Sequence, residues 1–156
     1  MSTERALVYT AQSKQYFYCR DAVCEYVFNE GAIPINPFRA FDYFLGDRVP
    51  RELIREGNRR LLAASDEVWV FGEYLADGVL IEITQAMEQK KPIRYFSIDN
   101  VADRIIRVDS SLLNFESEIS EGTGLARDEL LDHLTSGNPS YLLRALGRYH
   151  EVSGHR

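Results

Sequence analysis

Residues 66–86 read DEVWVFGEYLADGVLIEITQA, and this stretch decides the fold. Its first part, residues 67–71, is a nearly continuous apolar run, which is typical of a central parallel strand buried on both faces. From residue 78 onward the apolar side chains recur with helical spacing and form one stripe: Val79, Ile83, Ala86 and Met87. A buried strand followed directly by an amphipathic helix indicates an α/β protein.

The same alternation extends to both sides of this stretch. Strand patterns occur at residues 6–10, 32–35, 67–71, 92–96 and 104–108. Helical patterns occur around Val23 and Val27, and at residues 51–65, 78–89, 126–135 and 140–148, whereas residues 117–124 are predicted to form a polar loop. Pro34 places the second strand near an edge of the sheet, and Leu53, Gly57, Leu61 and Ala64 are predicted to face inward.

These patterns predict a single domain over residues 1–156 with a doubly wound, mainly parallel sheet of the flavodoxin or Rossmann-like type. Its core spans residues 6–98, and residues 100–156 form a helical extension. Ligands of such sheets bind beyond the carboxyl ends of the strands. The candidate site therefore lies at the loops after Tyr9, Ile35 and Phe71.

Composition excludes several classes of protein. The chain has 156 residues, of which 45% are hydrophobic and 27% charged, so it is globular and not disordered. A net charge of -6 argues against nucleic-acid binding. Cys19 and Cys24 fit neither a CxxC pair nor a zinc site, and no signal peptide or membrane-length apolar run is present. We therefore expect a cytoplasmic protein that does not bind membranes. Because the sequence has no GxGxxG or P-loop motif, we expect no nucleotide cofactor.

Glu82 is the leading candidate for chemistry. It falls in the first turns of the predicted helix, beside the buried stripe, where the helix dipole favours an ionised carboxylate. Such a carboxylate can act as a nucleophile or can stabilise a sugar oxocarbenium ion. Gly78 allows a close approach of the backbone at the helix start. An ordinary exposed glutamate that complements the dipole remains the alternative interpretation.

Four segments together resemble the nucleoside deoxyribosyltransferase-like superfamily. They are Tyr9, residues 35–37 (INP), residues 66–72, and the pattern Gly78-x-x-x-Glu82-Ile83-x-x-Ala86. The resemblance covers residues 6–98 and is closer to a small uncharacterised bacterial branch, which carries a similar aromatic segment ending in residues 44–47 (FLGD).

The resemblance implies that Glu82 is the catalytic glutamate and that Tyr9 positions it. Two further acids of the superfamily have no counterpart, because Asn58 and Ala76 stand in their places and Asp77 is shifted by one position. Without those acids, departure of the base lacks an obvious general acid. The Asn58 amide can hold a base or ribose; a polar residue on the helix surface is the alternative.

A basic and an aromatic cluster leave alternatives open. Arg51, Arg55 and Arg59 share one helix face, which predicts either a phosphate-binding patch or a solvated face paired with Glu52 and Glu56. The aromatic side chains of residues 38–44 can stack on a base, cover the end of the sheet or join a dimer contact; they are Phe38, Phe41, Tyr43 and Phe44.

The sequence therefore predicts a nucleoside- or nucleotide-directed N-glycosidase or (deoxy)ribosyltransferase-like protein that forms a homo-oligomer. A catalytically silent nucleotide-binding or sensing module is the main alternative, and a structural protein that oligomerises through its C-terminal helices is the other. Tyr9, Asn58 and Glu82 are expected to converge in one concavity at the carboxyl end of the sheet. Glu82 and Tyr9 are the predicted catalytic residues, and the predicted substrate-binding residues are Asn58, Gly78, Asn36, Phe38, Asp77 and Arg55.

Overall fold

A sheet of four parallel strands forms the centre of the protein in this computed structural model, which describes residues 4–41, 45 and 47–154. The strands are β1 (Leu7–Gln12), β2 (Ile33–Ile35), β3 (Glu67–Phe71) and β5 (Ile93–Phe96), and a separate parallel pair consists of β4 (Tyr74–Leu75) and β6 (Asn114–Phe115). The central order is β2-β1-β3-β5. Pro34 therefore lies in an edge strand, as predicted, where its missing N–H does not interrupt a ladder.

Helices connect the strands and cover both faces of the sheet. They are α1 (Arg20–Asn29), α2 (Pro37–Ala40), α3 (Arg51–Ala64), α4 (Asp77–Glu88), α5 (Ser117–Thr123), α6 (Arg127–Thr135), α7 (Pro139–Ala145) and α8 (His150–Ser153). Side chains alternate along β1, so Val8 joins the core beneath α1, whereas Tyr9 and Ala11 join the core beneath α3 and α4. The predicted doubly wound α/β fold is confirmed.

The chain after β5 differs from its predicted structure. The strand predicted at residues 104–108 is instead a 3-10 turn (Ala102–Arg104) followed by a single antiparallel bridge between Arg107 and Phe96. Ile105 and Val108 are buried while Ile106 is 64% exposed. Two buried positions three residues apart do not match the two-residue period of a strand, and this segment only crosses the end of β5.

The C-terminal third contains a helix where a loop was predicted. Residues 117–123 form α5, which buries Ile119 in the core beneath α3 and α4. One apolar residue in a polar stretch carries no periodic signal, and short helices depend on tertiary packing for their stability. The helix predicted at residues 140–148 is shorter, because α7 ends at Ala145 and begins with Pro139 at a position that suits proline.

The inward face of α3 is rotated from the predicted one. Leu53 is 57% exposed and Ala64 is also exposed, whereas Leu62 is fully buried. Asn58 lies one turn before Leu62 and so shares its inward face. Gly57 lies against Phe41, whose ring atom Cζ would be 2.7 Å from a Cβ at position 57.

An ion-pair cluster attaches α8 to α3 and α4. The buried Glu151 carboxylate accepts hydrogen bonds from Arg148 Nε at 2.5 Å and Nη2 at 2.9 Å, and lies 3.2 Å from Arg55 Nε. Arg148 also contacts Asp77 at the start of α4. These arginines lower the pKa of Glu151, with Arg148 as the main cause. The C-terminal segment is thereby joined to the helices that cover β1.

No helix within the described ranges combines the length and apolar character needed to cross a bilayer.

Glu151→Gln should lower the free energy of unfolding by about 1–3 kcal/mol at pH 7, because it removes the charge that pairs with two arginines. Since the folded-state pKa of Glu151 is lowered, its contribution is complete above the ordinary value of 4.5 and is lost as the pH falls below it. Urea denaturation of both proteins across this range measures the difference. Glu118→Gln, on the exposed face of α5, is the control; equal stability of Glu151→Gln and the unsubstituted protein would contradict the role of the cluster.

Candidate active site

A tyrosine and a glutamate from distant parts of the chain meet beneath α4. The Tyr9 hydroxyl donates a hydrogen bond to Glu82 Oε2, which joins β1 to α4 across 73 positions. Tyr9 is fully buried, while part of the Glu82 side chain remains exposed. The contact expected between these two residues is therefore present. The hydrogen bond lies in the layer between the sheet and α4. Tyr9 is three residues before the end of β1.

The Glu82 carboxyl has an unusual electrostatic environment. Burial raises its pKa to about 8, and the hydrogen bond from Tyr9 acts in the opposite direction. No ion pair joins Glu82 to a cation among the described residues. The sixth residue of α4 lies beyond the free N–H groups of the first turn, where the dipole acts most strongly. Contrary to the dipole argument, burial favours the protonated form of the carboxyl.

Open space lies on the same face of α4 as Glu82. Gly78 is four residues before Glu82, so the two positions are neighbours along the helix surface. A Cβ built at Gly78 would meet no atom within 4 Å. The surface of α4 one turn before the partly exposed Glu82 is therefore open.

Asn58 lies on the helix beside α4 and carries an unsatisfied oxygen. Its Oδ1 is buried and has no hydrogen-bond partner among the described residues. Gln85 of α4 donates a hydrogen bond of 3.0 Å to the carbonyl of Arg59 in α3. This bond joins the two helices next to Asn58 and one turn after Glu82. Asn58 forms no hydrogen bond with Tyr9 or Glu82. Of the three residues expected to share one concavity at the carboxyl end of the sheet, Tyr9 and Glu82 are in contact, whereas Asn58 lies in the adjoining helix and bonds to neither.

Asn36 has a structural function at the end of β1. Its Oδ1 accepts hydrogen bonds from the backbone N–H groups of Phe38 and Arg39, at 3.0 and 3.2 Å. Its Nδ2 donates to Thr10 Oγ1 at 2.9 Å and to Gln12 Oε1 at 2.8 Å. The buried amide has used both of its donors. Asn36 therefore caps α2 and orients β1, and it has no donor left for a substrate.

Asp77 and Arg55, two other predicted substrate-binding residues, already have protein partners. Asp77 accepts a hydrogen bond from the Gly78 N–H at 2.7 Å and pairs with Arg148. Arg55 pairs with Glu52 at 3.4 Å and with Glu151. The basic face of α3 thus contributes to the ion-pair cluster with α8, an interaction that neither the phosphate-patch nor the solvated-face interpretation included.

The aromatic segment before α3 packs within the fold where it is described. The Phe38 ring contacts Phe17 edge to face, with centroids 5.9 Å apart. Phe41 lies against Gly57 on α3. Both contacts fit the interpretation in which these rings cover the end of the sheet. Tyr43 and Phe44 lie outside the described residues.

One polar contact at the carboxyl end of β1 was not anticipated. The Ser13 hydroxyl donates a hydrogen bond of 2.6 Å to Glu116 Oε2, which joins the loop after β1 to the C-terminal extension. Ser13 belongs to a polar strand-end loop, which is a recognisable signal. Glu116 carries no sequence signal of its own, because its partner is 103 positions away. Within the described part of the chain, no group of three or more His, Cys, Asp or Glu side chains is arranged to hold a metal ion.

Comparison with known proteins identifies a family. The profile of the family described as a domain of unknown function (DUF7768) matches residues 8–96, which is more than half of the chain. The matched part runs from β1 to the end of β5 and includes Tyr9, Asn58 and Glu82. A search of curated proteins found no match.

Glu82→Gln should stabilise the protein increasingly as the pH rises from 4.5 to 8. The unfolded glutamate releases its proton near pH 4.5 and the folded one near pH 8, so the unsubstituted protein loses stability across this interval. Glutamine has no such proton. We expect a difference of at least about 1.4 kcal/mol at pH 8, which corresponds to one unit of pKa. Urea denaturation across the interval measures it; Glu25→Gln, on the exposed face of α1, is the control, and a pH-independent difference would contradict a raised pKa.

Proposed function

We propose that this chain, which belongs to the DUF7768 family, binds a nucleoside or nucleotide and acts on its N-glycosidic bond. The observation that carries the proposal is the buried Tyr9–Glu82 pair. It places a carboxyl group, oriented by a phenol, at a partly exposed position in an otherwise apolar layer. The resemblance to nucleoside deoxyribosyltransferase-like proteins, whose four segments include these two residues, supports the same substrate class.

The electrostatics of Glu82 suit a reaction that creates positive charge. Breakage of an N-glycosidic bond passes through an oxocarbenium-like sugar, and a nearby cation favours the ionised carboxylate. The developing charge on the sugar would supply the cation that Glu82 lacks among the described residues. The Tyr9 hydroxyl, held by the buried strand, would keep the carboxylate aimed at the anomeric carbon.

The reaction balances without a cofactor. Glu82 reacts as the carboxylate, after it has released its proton to solvent. The bond between C1′ and the base nitrogen breaks, its electron pair leaves with the base, and the base takes a proton from solvent. The Glu82 carboxylate bonds to C1′ or faces the oxocarbenium ion. Water or a second base then adds to C1′ and frees the carboxylate; when water adds, it gives up a proton.

Two further features support a ligand at this position. The surface of α4 is open at Gly78, one turn before Glu82. The buried Asn58 Oδ1 lacks a hydrogen-bond donor among the described residues, and unsatisfied buried oxygens are uncommon in folded proteins. An N–H or O–H group of the ligand would satisfy this oxygen.

A catalytically silent nucleotide-binding module is the second candidate function. Ala76 stands where the superfamily has an acid. The neighbouring acid, Asp77, is paired with Arg148. Among the described residues, this pairing leaves the acid position without a free carboxyl to protonate the departing base. A protein of this kind would keep the ligand-binding site and release no base.

Glu82→Gln should reduce base release by on the order of 10³-fold while changing ligand affinity far less, because it removes charge but keeps size. Chromatographic assays with nucleosides and nucleoside monophosphates measure release, and calorimetry measures binding. Glu25→Gln is the matched control. Binding without release by the unsubstituted protein would favour the silent module. Absence of both binding and release would refute the proposal, and equal release by Glu82→Gln would exclude Glu82 as the reacting group.

Gly78→Leu should weaken ligand binding at least about tenfold, because its side chain would fill the open space next to Glu82. A Cβ at this position meets no atom within 4 Å, and leucine is a better helix former than glycine, so stability should not fall. Gly78→Ala is the control: it should raise stability by up to about 1 kcal/mol and leave affinity nearly unchanged. Unchanged affinity of Gly78→Leu would place the ligand elsewhere.

A further inference from the structure

A second cavity lies on the opposite face of the sheet from Glu82. It has a volume of about 250 Å³ and is bounded by the end of α1, by β3, by β5 up to its last residue, Phe96, and by the segment around Arg107. None of the residues that line it belongs to the Tyr9–Glu82 site. The cavity therefore requires a separate explanation.

The path of the chain after β5 explains why this face is open. In place of another crossover helix, the chain forms the 3-10 turn at Ala102–Arg104, and Arg107 then bridges Phe96. Bridged residues of antiparallel strands carry their side chains on the same face of the sheet. Arg107 consequently lies beside Phe96 at the edge of the cavity, and both residues line it.

Aromatic rings form the apolar part of the cavity wall. The ring centroids of Trp69 and Phe96 are 5.0 Å apart, and those of Tyr26 and Phe96 are 5.3 Å apart. Trp69 and Phe96 are almost completely buried, whereas Tyr26 is partly exposed. Tyr26 therefore presents its ring to a planar ligand, on a wall backed by the buried rings of Trp69 and Phe96.

The charged part of the wall has two cations and two anions. Glu67 Oε1 accepts a hydrogen bond of 3.0 Å from Trp69 Nε1 and lies 3.4 Å from Arg94 Nε. Glu30 accepts a hydrogen bond of 3.3 Å from the Tyr26 hydroxyl. Arg107 forms no ion pair with any described residue, although it is close enough to Tyr26 to lower the pKa of that phenol slightly against the larger effect of burial.

We infer that this cavity binds a flat, uncharged heterocycle that has hydrogen-bond acceptors on one edge and donors on another, as a purine base does. The unpaired Arg107 guanidinium offers donors that match adjacent acceptors such as the oxygen and nitrogen of a purine edge. The exposed carboxylate of Glu30 offers acceptors for ring N–H groups. Two positive and two negative side chains favour a neutral ligand over an anion, and the volume suits a compact ring system more than a drug-sized molecule.

The single tryptophan of the chain makes this inference directly testable. Its indole N–H gives one isolated resonance in a proton–nitrogen NMR spectrum of the whole protein, and Trp69 lines the cavity. Hypoxanthine is the probe, and benzoate is the planar anionic comparison. We expect hypoxanthine to shift the indole resonance saturably, with a dissociation constant of about 1 mM or below, and benzoate to bind at least about tenfold more weakly.

Variants separate this cavity from the proposed active site. Arg107→Gln should weaken hypoxanthine binding at least about tenfold. The control Arg104→Gln removes an exposed arginine outside the cavity lining and should leave binding unchanged. Glu82→Gln should also leave the indole titration unchanged, whatever happens to base release, so failure of the proposed function would not affect this result. The inference is overturned if no saturable shift occurs, if benzoate binds as well as hypoxanthine, or if Arg107→Gln binds normally.

Discussion

The parallel pairing of β1 with β3 is the constraint on which the other features depend. Five residues of each strand are in register, from Val8 opposite Glu67 to Gln12 opposite Phe71. Because α4 follows β3 and a right-handed crossover returns it over the sheet, its second turn lies above the middle of β1. That is why Glu82 meets Tyr9 although 73 positions separate them. The pairing also fixes which face receives α1 and, with it, where the second cavity opens.

The site formed by this pairing contains a carboxyl group without a charged partner. Burial of an ionisable group in an apolar layer is unfavourable for its charged form, and most buried carboxylates are paired. Glu151 illustrates the usual arrangement, since two arginines surround it and its pKa is lowered. Glu82 is the opposite case, with a phenol as its partner and a pKa of about 8. Strong perturbation of this kind is more common at functional sites than elsewhere in proteins.

The C-terminal third is attached to the sheet by specific polar contacts. Glu116 reaches the loop after β1 through Ser13, and Arg148 pairs with Asp77 at the start of α4. Ile119 adds an apolar contact within the core beneath α3 and α4. Glu116, Ile119 and Arg148 lie beyond the part of the chain that matches the family. Their contacts are to the loop that follows β1 and to the start of α4. Since β1 carries Tyr9 and α4 carries Glu82, this segment supports the geometry of the candidate site.

The sequence by itself determined the alternation of strands and helices, the edge position of Pro34, and the identity of the two residues that meet at the site. The first two follow from local periodicity and from the chemistry of proline, and the third from the resemblance to a known superfamily over residues 6–98. Tertiary structure alone decided the inward face of α3, the helix at residues 117–123 and the partners of Asp77 and Arg55. It also decided the protonation of Glu82. A pKa or an ion pair depends on groups that fold close to a residue, and their distance along the chain leaves no pattern in the sequence around it.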